Sequence, residues 1–511
     1  MGTYAKTLWP HFSESTLIHL ADNLVTLLFH EIEILTSTIP MPPASANSFP
    51  THPLHGIDLG SFSRQFHEGT LTAEATTEAY IQRIGILDPV IGAFRAVDPS
   101  AALQRARAID SQHRAGLDLG PLMGMPIAVK EIFRVEGLPF GAGTDIDIDD
   151  LVPRQGPFVD ALKQQGCVLL GITKTTEFAA ATINSSKSMP WNPCDAAIKR
   201  VCGGSSHGSA AALAAGLCAF AIGTDTGGSV RLPAALCGLV GFKPSMGIWS
   251  TDGAFPLSPT FDTVGVFSHS VGDVRLVFAT LTGRKALAMP APSEVCCGRA
   301  MNLFEGLRVP VADAMERAMS RLAGEGVRFI DIDLPEAVEV GSVFGRILAG
   351  ELVHYLGRER LLTQRERIDP VTWARIEREL DMGGQTLAAL RSRQRELVAL
   401  IQRRIHGLDA IVCPTTPLSP DPVTDVGEPA QAIAWNRESG RNTRPGNLFG
   451  LCGISLPVHA PGKLPVGLQL LGSNGGDDRL LAVAASVESV LGLTARPDLS
   501  TFARRPRFKA R

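Results

Sequence analysis

The chain carries almost no net charge: its 511 residues sum to -3, and charged residues make up 19% of them. That balance argues against a nucleic-acid-binding surface, and a hydrophobic share of 45% argues against disorder. Paired Cys-x-x-Cys spacing is missing as well. The nine cysteines are scattered, so no zinc framework is expected, and their odd number fits reduced thiols in a cytoplasmic protein. The vicinal Cys296 and Cys297 read as a plain surface loop before they read as a redox pair. No secretory leader is visible at the N-terminus. No apolar run is long enough to span a membrane either, because the best stretch, residues 17–35, is broken by His19, Asp22, Asn23, His30, Glu31 and Glu33. Internal repeats are absent, and the one biased tract is proline-rich.

What is present falls into three parts. Residues 1–55 read as a helical extension with a stripe of Leu17, Leu20, Leu24, Leu28 and Ile32, followed by an extended linker with five prolines over residues 36–55. Packing of that stripe on the body or on a partner subunit is favoured over membrane attachment, since its charges are acidic. Residues 56–495 read as the main domain, and residues 496–511 as a basic tail. Within the main domain, Thr72 is placed to cap a helix that stops near Asp88-Pro89, and a second helix is expected over Pro99–Arg114. Helical patterns then alternate with short, mostly apolar runs at residues 167–173, 219–223, 410–413, 454–458 and 468–471. The fold class expected is α/β, a large mixed twisted sheet covered by helices on both faces. Residues 310–405, with long charged helical patterns, read as a helical insertion.

Two local motifs fail on inspection. The acidic cluster at Asp145, Asp147, Asp149 and Asp150 lacks the glycine and glutamate that a calcium loop needs at its sixth and twelfth positions. Lys130, at the end of the β-type run 127–129, has the setting of a kinase lysine, but no Gly-rich loop precedes it and no H-R-D or D-F-G follows. A solvated lysine after a strand is the blander alternative.

Glycine and serine concentrate in residues 201–244, where two Gly-Gly-Ser turns end at Ser205 and Ser229. Such turns serve tight bends and helix caps, or bring backbone close to a ligand. A phosphate cradle would need Gly-Lys-Ser/Thr, which neither turn has. A nucleophile elbow matches formally at Gly204-Ser205-Ser206-His207-Gly208, but the residues before it do not form the strand an elbow requires. Combining the serines with Lys130 gives a fourth reading. A lysine neutralised by burial can take a serine's proton, a second serine can relay it, and the backbone N–H groups of a glycine turn can hold an oxyanion.

With GGSSHGS from Gly203, GTDTGGSVRLP from Gly223 and PIAVKE ending at Glu131, the chain resembles the amidase signature family. The flanking blocks EFAAATINS, CGLVGFKPSMG, PLSPTFDTVG, VCPTTPLSP and LPVGLQLLG extend the resemblance over residues 57–490. It implies Ser229 as the acylated nucleophile, Ser205 as a bridging serine on a cis peptide after Gly204, and Lys130 as the base. It also implies oxyanion donors at Thr226, Gly227, Gly228 and Ser229, with Asp225 and Arg231 bracing the turn. Pocket walls are expected from Ala179, from Phe344 and Leu348, and from the segment 435–447, suiting an apolar or aromatic acyl group. Two departures stand out. His207 replaces a small residue, with roles at a helix start or in the leaving-group pocket both open, and Glu131 replaces an aspartate.

The activity so implied is hydrolysis of a carboxylic amide, extending to carbamates or esters, with no metal or organic cofactor. A small-molecule amide is the expected partner, and a homodimer is a candidate assembly. The alternatives are the amidase subunit of a tRNA-dependent amidotransferase and a non-catalytic module of the same fold. The block GIWSTDGAFPLSPTFDTVG lacks the Tyr-Gly and Asp-Gln patterns associated with that subunit, which favours the hydrolase.

Overall fold

In the computed structural model the described residues are 52–54, 56–492 and 496–503. The expected N-terminal helix, nearly all of the proline linker and the end of the basic tail lie outside them.

Eleven strands form one sheet in the order β1 (Phe94–Val97), β3 (Val168–Thr173), β2 (Pro126–Lys130), β4 (Phe220–Thr224), β6 (Val264–Ser268), β5 (Val240–Lys243), β10 (Cys452–Pro457), β11 (Gly467–Gly472), β9 (Ala410–Pro414), β7 (Cys296–Ala300) and β8 (Arg328–Ile332). Pairing is parallel where β2 meets β3 and β4 and where β7 meets β8 and β9, and antiparallel elsewhere. The mixed α/β sheet expected from the alternation is therefore present. Successive residues of a strand point to opposite faces, and every residue of β2, β4, β5, β6, β9 and β11 is buried. Both faces are thus covered, which is why these strands are continuous apolar runs in the sequence.

Local signals set most element ends. Asp98 caps the helix Pro99–Arg114 by accepting from Ala101 N–H, and Pro99 occupies its first position. Thr72 caps Ala73–Ile91 in the same way, but that helix continues past Asp88-Pro89. The Asp88 carboxylate accepts from Ala93 and Phe94 N–H beyond the end, and Gly92, at φ 70°, closes the last turn. Cys296 and Cys297 also differ from expectation. They begin β7 and are buried, so they do not lie in a surface loop, and burial pushes the Cys297 thiol up to about 12. Residues 310–405 are mostly helical but include β8, an edge strand whose alternating exposure leaves only a weak strand signal. Among the described residues no helix is long and apolar enough to cross a membrane.

Two features of this fold position the site. Parallel β2 and β4 bring their C-terminal ends, Lys130 and Thr224, side by side. The helices Pro370–Ile376 and Pro429–Ser439 pack through Val371, Ala432 and Trp435 into one apolar cluster with Val201, Leu232 and Leu236. That cluster fastens the helical layer over the glycine-serine segment.

Candidate active site

Lys130 ends β2 with its side chain fully buried. Its Nζ donates to Ser205 Oγ at 2.7 Å and to Thr224 Oγ1 at 3.0 Å. Burial pushes the ammonium down to about 7, against the opposing pull of Asp262, Asp225 and Glu131, none of which forms an ion pair with it. Glu131, next in sequence, turns away to accept from Thr175 N–H at 2.8 Å and to meet Arg95 at 3.3 Å.

Ser205 follows a cis peptide bond after Gly204. A side chain at Gly204 would place its Cβ 2.6 Å from Thr182 O, so only glycine fits. The Ser205 carbonyl accepts from Thr175 Oγ1 at 3.0 Å and Thr176 N–H at 3.2 Å, which fixes the bend. The neighbouring Ser206 N–H donates to Ser229 O at 3.3 Å and so ties the two turns together. Ser206 Oγ itself donates to Thr224 O at 3.3 Å, as a structural contact behind the site.

The second turn is built on Asp225. Its carboxylate accepts from the N–H groups of Gly228, Val230 and Arg231 at 2.8, 3.1 and 3.3 Å and from the Arg231 guanidinium at 2.8 and 3.1 Å. Burial alone would raise the Asp225 carboxyl, but the charge and hydrogen bonds of Arg231, with Lys243 and Asn447, hold it well below the carboxylate range. Arg231 reaches on to Gln469 Oε1 at 2.8 Å and Asn447 Oδ1 at 2.5 Å. Asp225 and Arg231 therefore brace the turn from beneath. Gly228 sits at φ 116°, a conformation that favours glycine, and a Cβ there would stand 2.1 Å from Thr443 Oγ1.

Four N–H donors were expected for an oxyanion. Gly228 spends its N–H on Asp225, so it does not serve. Those of Thr226, Gly227 and Ser229 have no acceptor among the described residues. Ser229 Oγ likewise makes no hydrogen bond among them and lines a narrow pocket with Thr226 and Gly227. Ala179, Phe344 and Leu348 line the same pocket, as expected, and Leu257 adds to it. His207 does not. It starts the helix His207–Ala214, is buried, and is pushed down to about 3, first by burial and then by the charge of Lys130. The glycine after it packs against backbone, where a Cβ would stand 2.5 Å from Ala93 O.

Four residues at the site were not singled out in the sequence. Thr224, the second partner of Lys130, lies inside the Gly-Thr-Asp motif and was legible there. Asp262 accepts from Thr226 Oγ1 at 2.6 Å, and burial pushes its carboxyl up to about 6. Arg375 and Arg444 line the same pocket as Ser229. No local motif marks Arg375, whereas Arg444 falls within the segment 435–447 expected as a pocket wall; together they give a wall expected to be apolar a strong positive charge.

Sheet and site together define a hydrolytic enzyme on an α/β scaffold. The chain belongs to the amidase family, whose model matches residues 75–481. It is 34% identical over 457 residues to the 2-amino-5-chloromuconic acid deaminase of Comamonas testosteroni, covering 87% of this chain and 99% of that protein. It is 31% identical to the mandelamide hydrolase of Pseudomonas putida, covering 88% and 94% of the two chains. It is also 32% identical to a subunit of the glutamyl-tRNA(Gln) amidotransferase of Salinispora tropica, covering 86% and 100%. A crystal structure of an amidase superposes with a TM-score of 0.77 at 29% identity, over 85% of this chain and all of that one.

Proposed function

We propose that the protein is a free amidohydrolase that cleaves a small carboxylic amide through an acyl-enzyme on Ser229. The observation that carries this reading is the contact between Lys130 Nζ and Ser205 Oγ, a buried lysine whose nearest partners are two hydroxyls and no carboxylate. Neutral Lys130 takes the proton of Ser205 Oγ, Ser205 takes that of Ser229, and Ser229 Oγ bonds to the substrate carbonyl carbon. The oxyanion is held by the N–H groups of Thr226, Gly227 and Ser229, a type of donor worth roughly 10²–10³ in rate each. Collapse breaks the C–N bond, and the relay returns the proton to the leaving amine. Water then cleaves the ester by the same route and frees the acid. No step calls for a metal or organic cofactor.

One relative is by name a hydrolase of mandelamide, which supports amide chemistry, and another is by name a deaminase of a muconic acid, which supports cleavage of a C–N bond. The similarity to an amidotransferase component defines the competing outcome. Purified protein incubated alone with a panel of simple amides is expected to release ammonia or amine. Activity that appears only with a partner protein and charged tRNA overturns the free hydrolase.

A further inference from the structure

The pocket at Ser229 adjoins a wider outer cleft, and Phe344, Arg375, Asn436 and Arg444 line both. The charge of this approach is one-sided. Arg346, Arg375, Arg378, Arg437 and Arg444 line the outer cleft against a single acid, Glu379, which Arg346 already neutralises at 2.9 Å. A cleft of one sign, with low-dielectric walls, focuses its field on whatever enters.

At the rim the two cations, half-buried Arg375 and buried Arg444, form no ion pair among the described residues, and a cation held away from water is favoured by a partner of opposite charge. The Arg375 guanidinium has no ion pair and no hydrogen-bond acceptor among the described residues. Arg444, 8% exposed, donates only to the backbone carbonyls of Arg437, at 2.8 Å, and Asn436. Burial lowers both guanidinium groups, Arg375 to about 10 and Arg444, with the charge of Arg375 adding to it, to about 9; at Arg444 the only opposing carboxylate is Glu438, which is itself paired with Arg441 at 3.2 Å. Asn436 Oδ1 accepts from Thr182 N–H at 2.8 Å and from Thr182 Oγ1 at 2.9 Å, which leaves its amide N–H groups for a ligand. Two guanidinium groups and an amide donor beside a serine nucleophile form an incomplete anion site.

We infer that the substrate carries a carboxylate a few bonds from its scissile carbonyl, and that Arg375, with Arg444 and Asn436, binds it while Ser229 attacks. This rests on the amidohydrolase reading and names the substrate class within it. A planar guanidinium matches a carboxylate through two parallel N–H bonds, which fixes orientation as well as charge. The acid amide therefore enters along the arginine-lined cleft and stops with its carbonyl over the glycine turn. An apolar acyl group would instead leave both cations desolvated and unpaired.

The test compares kcat/KM for the half-amides of succinic and glutaric acid with their neutral diamides, and for N-acetylglycine with N-acetylglycinamide. The first pair places the carboxylate on the acyl side, and the second places it on the leaving group. The wild-type chain is expected to prefer the acid member of at least one pair by roughly tenfold or more, less so at high salt. Arg375→Gln is expected to cut that acid-to-neutral ratio by roughly 10- to 100-fold, and Arg375→Lys by less. Equal use of acid and neutral amides, or a ratio untouched by Arg375→Gln, overturns the inference while leaving the hydrolase standing. Calorimetric titration of the same half-amides into the full-length Ser229→Ala variant separates the two claims. Binding that disappears in Ser229→Ala/Arg375→Gln supports the carboxylate site even if no amide is hydrolysed, in which case the hydrolase reading falls. No binding to Ser229→Ala overturns the site.

Discussion

Lys130 Nζ lies 2.7 Å from Ser205 Oγ, in surroundings where its other hydrogen-bond partner, Thr224 Oγ1 at 3.0 Å, is also a hydroxyl. A base must be unprotonated to act, and burial has brought this ammonium down to about 7. We therefore expect kcat/KM to rise with pH through about 7 and to level off above it. Lys130→Ala should lose activity by roughly 10³-fold or more with an unchanged circular dichroism spectrum. A wild-type rate that falls as pH rises through 7 would mean the protonated lysine is the active form.

The same burial has a consequence for stability. The folded value of about 7 lies below the ordinary 10.5, so between these pH values the unfolded chain binds more protons than the folded one. Stability contributed by this group therefore rises with pH across that window and is lowest below about 7, where the folded protein carries a buried ammonium. Lys130→Met should remove this slope and gain roughly 1–4 kcal/mol at pH 6. Urea unfolding at pH 6 and pH 9 checks both the sign and the window.

Asp225 and Arg231 form a fully buried pair at 2.8 Å. Arg231→Met would leave the carboxylate unpaired and is expected to cost roughly 3–5 kcal/mol. Adding Asp225→Asn should recover part of that loss, because the uncompensated charge is then gone. A single variant that unfolds at the wild-type urea concentration would contradict the role of this pair as the brace under the turn.

Gly228→Ala should disable the turn without touching any side chain of the relay. Its Cβ would stand 2.1 Å from Thr443 Oγ1, and its φ of 116° is strained for any other residue. Displacement of the N–H groups of Gly227 and Ser229 is expected to lower kcat by roughly 10²-fold with a smaller change in KM. Equal loss in both parameters would point to general misfolding of the pocket.

Much of this site was legible in the sequence, because it is written in short motifs. The runs that became β2, β4, β9, β10 and β11 are mostly apolar because both sheet faces are covered, and Lys130 was legible at the end of the first of them. The glycine turns stood out by composition. What stayed hidden depends on contacts distant in sequence. Arg375 comes to line the pocket of Ser229 through its helix, which packs against Pro429–Ser439 in a shared apolar cluster, and nothing near Arg375 in the chain marks it. Gly228 reads as one oxyanion donor among four until Asp225 is seen to accept its N–H. Cys296 and Cys297 resemble a loop in isolation and become a buried strand only between β8 and β9. His207 directly follows the serines of the first turn, yet it is buried and is not among the residues that line the pocket.

The central claim is that Ser229, and no other serine of the two turns, becomes acylated. Peptide mapping by mass spectrometry after treatment with a fluorophosphonate tests it directly. The account predicts one adduct per chain, on Ser229, lost in Ser229→Ala and slowed in Lys130→Ala. An adduct on Ser205 or Ser206, or labelling that persists in Ser229→Ala, would contradict it.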